Sequence, residues 1–597
     1  MGGTSGMNIN EECNMDGAVV RILFGNLINR IASRDDGSFH LPGVITKDEY
    51  LVLKLVASKI TGQIASADAS VAPPVTVADK VPDSPPISAP DERADEDGAA
   101  TEETHERDEA EIFLDLSSLD GLLGQGNARV CLDFGTAMSK ATLVDDESGD
   151  DEVIEVLKLG IPGDQEEISE TMLVSSVFID GEGKVWFGKS AEERSRLENV
   201  DGTRQRLDNI KRRFSEAGLD DLLGNRLNPT EIRVHYRDMI LAYLSFFTWT
   251  VSVCLRQLGY PKNVQRRFAI PCLEGEKRRE VAHELGQLVG QAQVLADTFG
   301  DRLAEGISLS EFMRAAIELR SRSLKFPFVM EELTEPLGVA GSLLSWRTSD
   351  NRLAMVIDVG AGTSDFSLYR LSVDPKGGKN TAVEVDGSSR GITEAGNYLD
   401  RILIALILKR AGVTTDHPRF LAISGQLELD IRNLKESLFN DKSVFVPIND
   451  AEDVEISLEE FLKMDAVVKF GDSLKAAMQA ILEEVDDSFI HWVSRTPGRY
   501  LTVVLTGGGS SLPMVRVLAE GTLKVGNDSI PLAVALPFPK WLEESHPNLE
   551  FDYPRVAVSL GGARRRIIRL QGLAMVTAGD VVDKPKLGGY YVTGPQS

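Results

Sequence analysis

The stretch Asp358-Val359-Gly360-Ala361-Gly362-Thr363-Ser364-Asp365 decides the fold of this chain. Mostly apolar residues lead into it over 353–357 and out of it over 366–371, and this pattern predicts two strands joined by a glycine turn. Glycine in such a turn lets the backbone approach a ligand closely. The sequence therefore predicts a hairpin whose turn can lie against a ligand.

A shorter version of this hairpin stands more than two hundred residues upstream. Asp133-Phe134-Gly135-Thr136 follows a predicted strand over 128–132 and precedes another over 139–144. Two similar hairpins in one chain indicate two similar half-domains. Backbone N–H groups and threonine hydroxyls in both turns can bind phosphates, and carboxylates beside them can hold a hydrated magnesium ion.

A third glycine turn follows a predicted strand over 501–505. It reads Thr506-Gly507-Gly508-Gly509-Ser510-Ser511-Leu512-Pro513 and precedes a helix predicted to begin at about Met514. The glycines permit a nucleoside to lie against the backbone. Each turn alone also arises by chance, but the order and context of the three turns are specific.

In this order, the three turns resemble those of the actin-like ATPase superfamily, most closely those of the heat-shock protein 70 (DnaK-type) nucleotide-binding domain. The resemblance covers about residues 127–563. It implies an α/β fold in which two lobes, built on duplicated ribonuclease H-like domains, close around ATP and Mg²⁺. The first two turns would contact phosphate, and the third would contact adenosine. The implied cofactor contacts are Gly135, Thr136, Gly360, Gly362, Thr363, Gly396, Lys435, Gly507, Gly508 and Gly509.

Further landmarks follow in the order of that family. The run Leu207-Asp208-Asn209-Ile210-Lys211-Arg212-Arg213-Phe214 resembles the segment with the catalytic lysine, which implies that Lys211 contacts the transferring phosphate. Taken alone, such a run is typical of a solvated basic helix. Thr334-Glu335-Pro336 resembles the connecting element whose glutamate helps to hold magnesium and water. A strand that ends in proline, a glycine turn near the terminal phosphates and a second connecting helix are matched by 268–271, 391–401 and 556–563.

These residue types fit phosphoryl transfer to water, which needs positioning and charge neutralisation more than a protein nucleophile. Lys211 and magnesium would neutralise the phosphates, while Asp365 and Glu335 would order the attacking water and the hydration shell of the metal. The implied catalytic residues are Lys211, Glu335, Asp365 and Thr363, and the implied metal-side carboxylates, acting through water, are Asp133, Asp358 and Asp365. We expect an ATPase that acts as a conformational switch, chaperone-like or regulatory, on a protein partner.

The sequence departs from the family where adenine is bound. The range 431–438 resembles the family helix that lies against the base, and Lys435 matches it, but Glu436 replaces an arginine and Phe439 replaces a serine. Ser511 stands where the family often has a second arginine. Cation–π contacts are worth ~0.5–2 kcal/mol each, so we expect weaker affinity or base selectivity than the family norm. ATP is favoured, and GTP stays open.

Outside the ATPase-like block of 127–563, the chain divides by composition. Residues 1–66 predict a small helical module, and residues 67–126 predict a disordered linker, rich in proline and acid, that ends in an amphipathic segment. Residues 564–597 predict a helix end and a tail. We expect the amphipathic segment to dock in cis on the following domain, and a partner-binding motif stays open as the alternative. Its apolar stripe consists of Ile112, Leu116, Leu119 and Leu123.

Composition argues against several classes of function. The 64 basic and 92 acidic residues give a net charge of −28, a field that repels nucleic acids and anionic lipids. The 4 cysteines form no C-x-x-C pair and the N-terminus lacks the pattern of a secretory signal, so we expect a reducing, cytoplasmic setting. Residues 239–255 carry no charge, but their hydroxyl side chains favour a buried helix over a membrane span.

A protein partner is expected because too few residues follow Ala563 to form the substrate-binding sandwich of the chaperones. In its place the chain has the N-terminal module, the linker and an insertion over 272–334, and each is a candidate surface for that partner. Two alternatives stay open. One is a nucleotide-binding scaffold with little turnover, and the other is an actin-like filament-forming ATPase.

Two motif matches are set aside. Residues 183–190 fit the P-loop pattern G-x-x-x-x-G-K-S, but residues 184–187 are typical of a strand and not of a phosphate loop. A basic cluster near the end of the ATPase-like block suits the end of a helix better than a nucleic-acid surface. This cluster contains Arg564, Arg565, Arg566 and Arg569.

Overall fold

The computed structural model describes most of the chain after residue 111. The predicted helices of the N-terminal module, most of the linker and the tail after residue 564 lie outside the described residues, as does Leu123. The described residues are 112–120, 127–146, 152–160, 170–199, 201–216, 218–273, 275–345, 347–376, 379–449 and 451–564, with the short strands at 32–33, 39–40 and 575–576.

The chain folds as a mixed α/β protein, as predicted. The helices are α1 Ser117–Asp120, α2 Gly188–Glu198, α3 Arg212–Glu216, α4 Tyr236–Gln257, α5 Gly275–Phe299, α6 Leu309–Ser321, α7 Glu335–Ser342, α8 Gly396–Arg410, α9 Phe420–Asp441, α10 Leu458–Leu462, α11 Asp465–Glu484, α12 Asp487–Ser494, α13 Pro513–Arg516, α14 Lys540–Ser545 and α15 Tyr553–Ala563. The strands are β1 Ala32–Ser33, β2 Phe39–His40, β3 Ala128–Asp133, β4 Met138–Asp145, β5 Val153–Val156, β6 Leu173–Val174, β7 Val177–Ile179, β8 Lys184–Phe187, β9 Gln265–Ile270, β10 Ile307–Ser308, β11 Val329–Thr334, β12 Asp350–Val359, β13 Ser364–Asp374, β14 Lys379–Val385, β15 Arg390–Ile392, β16 Ser443–Val446, β17 Val454–Ser457, β18 Leu501–Thr506, β19 Thr522–Val525, β20 Asp528–Val534 and β21 Met575–Val576.

The first of two large sheets contains the upstream hairpin. Among the described residues its strand order is β11-β9-β3-β4-β5, with β6 also pairing β4. Strands β3 and β4 pair antiparallel and place Asp133 opposite Lys140, so the predicted hairpin around Gly135 is confirmed. Strand β9 pairs parallel with β3 and β11 and ends immediately before Pro271, as predicted.

The second large sheet contains the other two glycine turns. Its described strands run in the order β19-β20-β18-β12-β13-β14-β21, with β15 also pairing β13. Strands β12 and β13 form the predicted antiparallel hairpin, in which Asp358 lies opposite Asp365. Strand β18 pairs parallel with β12 and places Thr506 beside Asp358. The second and third turns therefore begin at the same end of neighbouring strands.

Helices α7 and α15 pack against each other in a layer that contacts both sheets. Each has proline in its first turn, where the missing N–H has no helical partner to lose. A Cβ on Gly561 would lie 1.7 Å from Gly338 O, and a Cβ on Gly338 would lie 2.5 Å from Val558 O. Only glycine permits so close an approach, so this pair sets the distance between the helices.

Three arginines bind carbonyl oxygens at the carboxyl ends of these two helices. Arg129 Nε and Arg267 Nη1 each donate to a carbonyl in the last turn of α15, both at 3.1 Å. Arg564 Nη1 donates to a carbonyl at the end of α7 at 3.0 Å, and its Nε donates to Glu152 at 2.7 Å. Since Arg564 is 1% exposed, it is unavailable to nucleic acid, and the helix-end interpretation is confirmed for this residue.

Helix α4 is long and apolar enough to cross a membrane, but 89% of its most apolar window is buried inside the fold. Its hydroxyls bond within the helix, as when Thr250 Oγ1 donates to Phe246 O at 2.9 Å. Helices α5 and α6, which belong to the predicted insertion, contribute Leu288 and Phe312 to the same core. The buried-helix prediction is confirmed, and the insertion is largely part of the core beside the first sheet.

The segment 112–120 docks in cis on the region around the first sheet. Leu114 is buried in that core, and Asp115 N donates to Thr298 Oγ1 at 3.0 Å. Lys262 Nζ donates to Ser117 Oγ at 2.8 Å. Docking in cis is thus confirmed, although the segment becomes helical only at Ser117 and Leu114 lies outside the predicted stripe.

The P-loop match is a strand followed by a helix. Strand β8 covers residues 184–187, and helix α2 begins at Gly188. Lys189, which would be the phosphate-binding lysine of a P-loop, pairs with Glu170 at 3.0 Å. The strand prediction is confirmed.

We expect Gly561→Ala to lower the free energy of unfolding by about 1–3 kcal/mol, because the added methyl group would overlap Gly338 O and push α7 and α15 apart. Denaturant titration followed by circular dichroism measures this. Gly224→Ala is the matched control, since a Cβ there would meet no atom within 4 Å. Equal stability of the two variants would show that the glycine contact does not set the helix spacing.

Candidate functional site

The two hairpin turns face each other. A Cβ on Gly135 would lie 2.0 Å from Met138 O, so the first turn requires glycine. A Cβ on Gly362, in the second turn, would lie 2.9 Å from both Oγ1 and Cγ2 of Thr136. The structure therefore brings together residues of the two glycine turns that the sequence separates by more than two hundred positions.

The third turn packs against the second hairpin. Gly507 has φ 81°, and a Cβ there would lie 2.3 Å from Asp358 Oδ1. Its N–H donates to a carbonyl in the first turn of α15 at 3.1 Å, and Gly509 N donates to Val359 O at 2.8 Å. A Cβ on Gly508 would meet no atom within 4 Å. The turn thus covers Asp358 and leaves Gly508 facing open space.

Gly396 and Lys435 lie beside the second turn. Gly396 N donates to Gly360 O at 3.0 Å, which fixes the start of α8 on that turn. Lys435 Nζ donates to Gly396 O at 3.2 Å and pairs with Asp400 Oδ1 at 2.7 Å. Lys435 is therefore positioned next to the second glycine turn with Asp400 as its partner.

The residues that depart from the adenine pattern have different surroundings. Glu436 and Ser511 are exposed. Phe439 packs edge-on against Phe461, with ring centroids 6.1 Å apart. Phe439 thus packs against the core beside the second sheet. In the resembled family, a serine would be expected at this position.

Lys211 is buried and forms an ion pair with Glu335. Asn209 has φ 59°, a left-handed conformation that turns the chain ahead of Lys211. Burial alone would lower the pKa of Lys211, but the charges of Glu335, Asp133 and Asp365 outweigh burial and raise that pKa. The lysine is held in its charged form, and a solvated basic helix is the wrong interpretation of this run.

Asp365 is buried between two hydrogen-bond donors. Cys272 N donates to Oδ1 at 3.0 Å, and Thr363 Oγ1 donates to Oδ2 at 2.7 Å. Burial and the negative charge of Glu335 raise the pKa of Asp365 to about 7, although the two hydrogen bonds and Lys211 act to lower it. The carboxyl group is fixed in orientation and titrates near neutral pH.

Two further carboxylates complete the cluster. Burial raises the pKa of Asp358 well above its usual range, and the charges of Glu335, Asp365 and Asp133 add to this rise. Asp133 Oδ2 accepts a hydrogen bond from Lys140 Nζ at 3.2 Å. The structure thus gathers the predicted catalytic and metal-side carboxylates in one place.

Sequence reasoning missed Lys140. A signal for it was present, because a hairpin that pairs Leu132 with Ala141 must also place Lys140 opposite Asp133. The position of Lys140 opposite Asp133 follows only once the register of the hairpin is known.

The charges of the cluster fit a hydrated divalent cation. Among the described residues, no three His, Cys, Asp or Glu side chains are placed to hold a metal ion directly. Four carboxylates and two lysines nevertheless leave an excess of two negative charges when all are ionised. Mg²⁺ keeps several of its waters in proteins, so ligation through water by Asp133, Asp358 and Asp365 is compatible with this arrangement.

Polar side-chain contacts also join the two halves of the chain. Asn397 Nδ2, at the start of α8, donates to Asn209 Oδ1 at 2.9 Å. Arg196 Nε in α2 donates to Asp430 Oδ1 in α9 at 3.1 Å. These contacts hold the two halves of the chain together beside the site.

Comparison with known proteins assigns the chain neither a family nor a function. No protein-family model matches the chain, and no curated protein is significantly similar to it. Any functional conclusion therefore depends on the geometry and chemistry of the site.

We expect Asp365→Asn to flatten the pH dependence of stability. The pKa of Asp365 is about 7 in the folded protein and near 4 in an unfolded chain, so the folded state binds more protons between these values. Stability therefore falls as the pH rises from about 4 to about 7, at up to about 1.4 kcal/mol per pH unit. The asparagine side chain has the same shape and no charge to bury, so the variant is expected to be the more stable protein at pH 8.

Thermal unfolding of both proteins between pH 4.5 and 8 measures the difference, with Asp416→Asn in an exposed loop as the control. Parallel profiles for wild type and Asp365→Asn would contradict the raised pKa.

Proposed function

We propose that the chain binds ATP with Mg²⁺ and hydrolyses it, and that the resulting conformational change is transmitted to a protein partner. One observation carries the proposal. The buried Lys211 and Asp365 and the half-buried Glu335 lie together beside two facing glycine turns, although they come from segments far apart in sequence. A charged lysine and a carboxyl group that titrates near pH 7 are suited to phosphoryl transfer to water.

The proposal includes a two-lobed actin-like fold of duplicated ribonuclease H-like domains, similar to the heat-shock protein 70 nucleotide-binding domain. Each large sheet contains an antiparallel hairpin in which an aspartate precedes a glycine turn, Asp133 in one and Asp358 in the other. Helices α7 and α15 pack between the sheets. This repeated arrangement around a helix layer supports the proposed fold.

In the proposed mechanism the turns and Lys211 bind the phosphates. Backbone N–H groups of the glycine turns and the hydroxyl of Thr136 donate to phosphate oxygens. Lys211, kept charged by Glu335, neutralises the phosphate that is transferred. Asp365 accepts a proton from the attacking water, and Thr363 holds the Asp365 carboxylate in position through its hydrogen bond to Oδ2.

Magnesium, when bound, would supply charge neutralisation at the phosphates. Asp133, Asp358 and Asp365 would hold it through water. The excess of carboxylates over lysines in the cluster supports this assignment.

Recognition of the base is proposed to be less selective than in the resembled family. Glu436 and Ser511 offer no guanidinium to stack on a purine, and Phe439 packs against Phe461. Gly508 faces open space at the third turn and can lie against a nucleoside. It has no side chain that could distinguish one base from another. We propose ATP as the substrate and a small preference over GTP.

The partner is proposed to bind through the N-terminal module or the linker. Most of the 272–334 insertion packs into the core, which leaves less of it for a partner. The docked segment 112–120 attaches the end of the linker to α5 and the loop before β9. A partner bound upstream of it would be held beside the first sheet.

We expect Lys211→Ala to reduce the rate of ATP hydrolysis about 100-fold or more, because the transferring phosphate would lose its neutralising charge. The measurement is magnesium-dependent phosphate release from ATP and from GTP, with nucleotide binding followed by calorimetry. Lys463→Ala is the control, since the Lys463 side chain is 73% exposed and pairs with Glu459 in α10.

Each outcome of this experiment has a definite meaning. Equal hydrolysis by wild type and Lys211→Ala would overturn the mechanism. Binding of nucleotide without phosphate release would make the chain a nucleotide-binding scaffold. If the wild type neither binds nucleotide nor releases phosphate, the proposed function is refuted.

A further inference from the structure

An open cavity of about 770 Å³ lies in the first half of the chain. Its walls come from the segment that follows α2 and from the loop that joins α3 to α4, over residues 203–204, 222–223, 225–226 and 228–234. Every residue that lines the cavity lies outside the candidate functional site. Sites for small molecules in proteins measure about 300–1,000 Å³, so a cavity of this size can hold a small molecule.

The lining of the cavity is basic, although the whole chain has a net charge of −28. It contains Arg204, Arg226 and Arg233, and its one acidic residue is Glu231. With all four side chains ionised, the lining carries a net charge of +2. Such a concentration of positive charge in a concave surface attracts anions.

Arg226 is held by the backbone and not by a carboxylate. Its Nη2 donates to Gly202 O at 2.8 Å, and among the described residues its guanidinium group forms no ion pair. The charge of Arg226 opposes the rise in the pKa of Glu428 that burial causes, but Glu428 accepts its hydrogen bond from Gln205 Nε2, at 3.2 Å. A guanidinium group has five N–H donors, so most of those of Arg226 are left for a ligand.

Arg204 places a second positive charge in the wall. Its Nη2 donates to Ile179 O, and its guanidinium group lies 5.3 Å from the centroid of the Phe178 ring. Among the described residues, its buried Nε and Nη1 have no hydrogen-bond partner. Burial lowers the pKa of Arg204, and the charges of Glu198 and Asp180 offset this only in part. An anion in the cavity would stabilise this cation.

Hydrogen bonds hold the walls of the cavity in place. Leu223 N donates to Val234 O at 2.8 Å, which closes the loop between α3 and α4. The buried Asn228 donates from Nδ2 to Ile232 O at 2.7 Å and accepts from Thr230 Oγ1 at 2.8 Å. The cavity is therefore formed without a ligand, which reduces the entropy that binding would cost.

A structural role alone does not explain the two arginines. A backbone carbonyl needs one donor and no charge, so a neutral side chain could bind Gly202 O or Ile179 O without bringing a cation into the wall. The planar fork of a guanidinium group matches two oxygens of a phosphate group. A phosphate monoester carries about −1.5 to −2 charges near pH 7, which matches the net charge of the lining.

We propose that this cavity binds a small phosphate ester, separate from the nucleotide, through a forked contact from Arg226 and the charge of Arg204. Arg233 and Asn225 are exposed in the same lining and would contact the remainder of the ligand. This inference does not depend on the proposed function, because no residue of the candidate functional site takes part in it.

Titration of the full-length chain with glucose 6-phosphate and with inorganic phosphate tests the inference, with binding followed by ³¹P NMR. A forked arginine–phosphate contact is expected to bind glucose 6-phosphate with a Kd of about 1 mM or below. Arg226→Gln is expected to weaken this binding about tenfold or more. Arg256→Gln, which removes an exposed arginine from the last turn of α4, is the matched control and is expected to change it less than twofold.

The Lys211→Ala variant separates this cavity from the candidate functional site. Its affinity for glucose 6-phosphate is expected to equal that of the wild type. Loss of binding in Lys211→Ala together with full binding in Arg226→Gln would place the phosphate in the candidate functional site and refute the inference. If thermal unfolding shows that Arg226→Gln is misfolded, Arg226→Lys replaces it, with an expected loss of about threefold or more because the fork is lost and the charge is kept.

The remaining outcomes are also decisive. No binding of glucose 6-phosphate up to about 10 mM, or equal binding by wild type and the folded Arg226 variant, refutes the inference. Binding of inorganic phosphate without binding of the ester shows an adventitious ion only and refutes it as well. None of these results bears on nucleotide binding, so the inference and the proposed function fail separately.

Discussion

The close approach of two helices at Gly338 and Gly561 is the constraint on which the rest of the structure depends. Helix α7 begins at Glu335, the partner of Lys211, and the first turn of α15 accepts the N–H of Gly507 at 3.1 Å. Because the glycine contact sets the spacing of the helices, it also sets the distance between these two parts of the site. A close approach between the two helix backbones thus helps to hold segments that are distant in sequence in register.

The site that this framework holds is costly to bury. Burial raises the pKa values of Asp358 and Asp365, which means that the folded chain resists the charged forms of both groups. Lys211 relieves part of the repulsion and is itself held charged by the acids around it. Such an arrangement reduces stability, and proteins retain unfavourable charge clusters of this kind mainly where a ligand completes them. The electrostatics thus favour a binding site over a structural network.

Local patterns were sufficient to predict the strands beside the glycine turns, the turns themselves and the helix start at about Met514, because each is specified by a few adjacent residues. Most of the candidate site followed from them. Contacts between distant segments were not predictable in the same way. The role of Arg564 was missed because its partners lie 223 and 412 positions away, and Leu114 was missed because the docked segment is not helical there. Lys140 required the hairpin register, which a sequence pattern alone leaves undetermined.

The burial of Arg564 has a mechanical consequence. This residue immediately follows α15, and its guanidinium group joins the end of α7 to Glu152, next to the edge strand β5 of the first sheet. Because the same side chain binds both α7 and Glu152, a displacement of the chain at residue 564 would act on the helix layer and on the first sheet together.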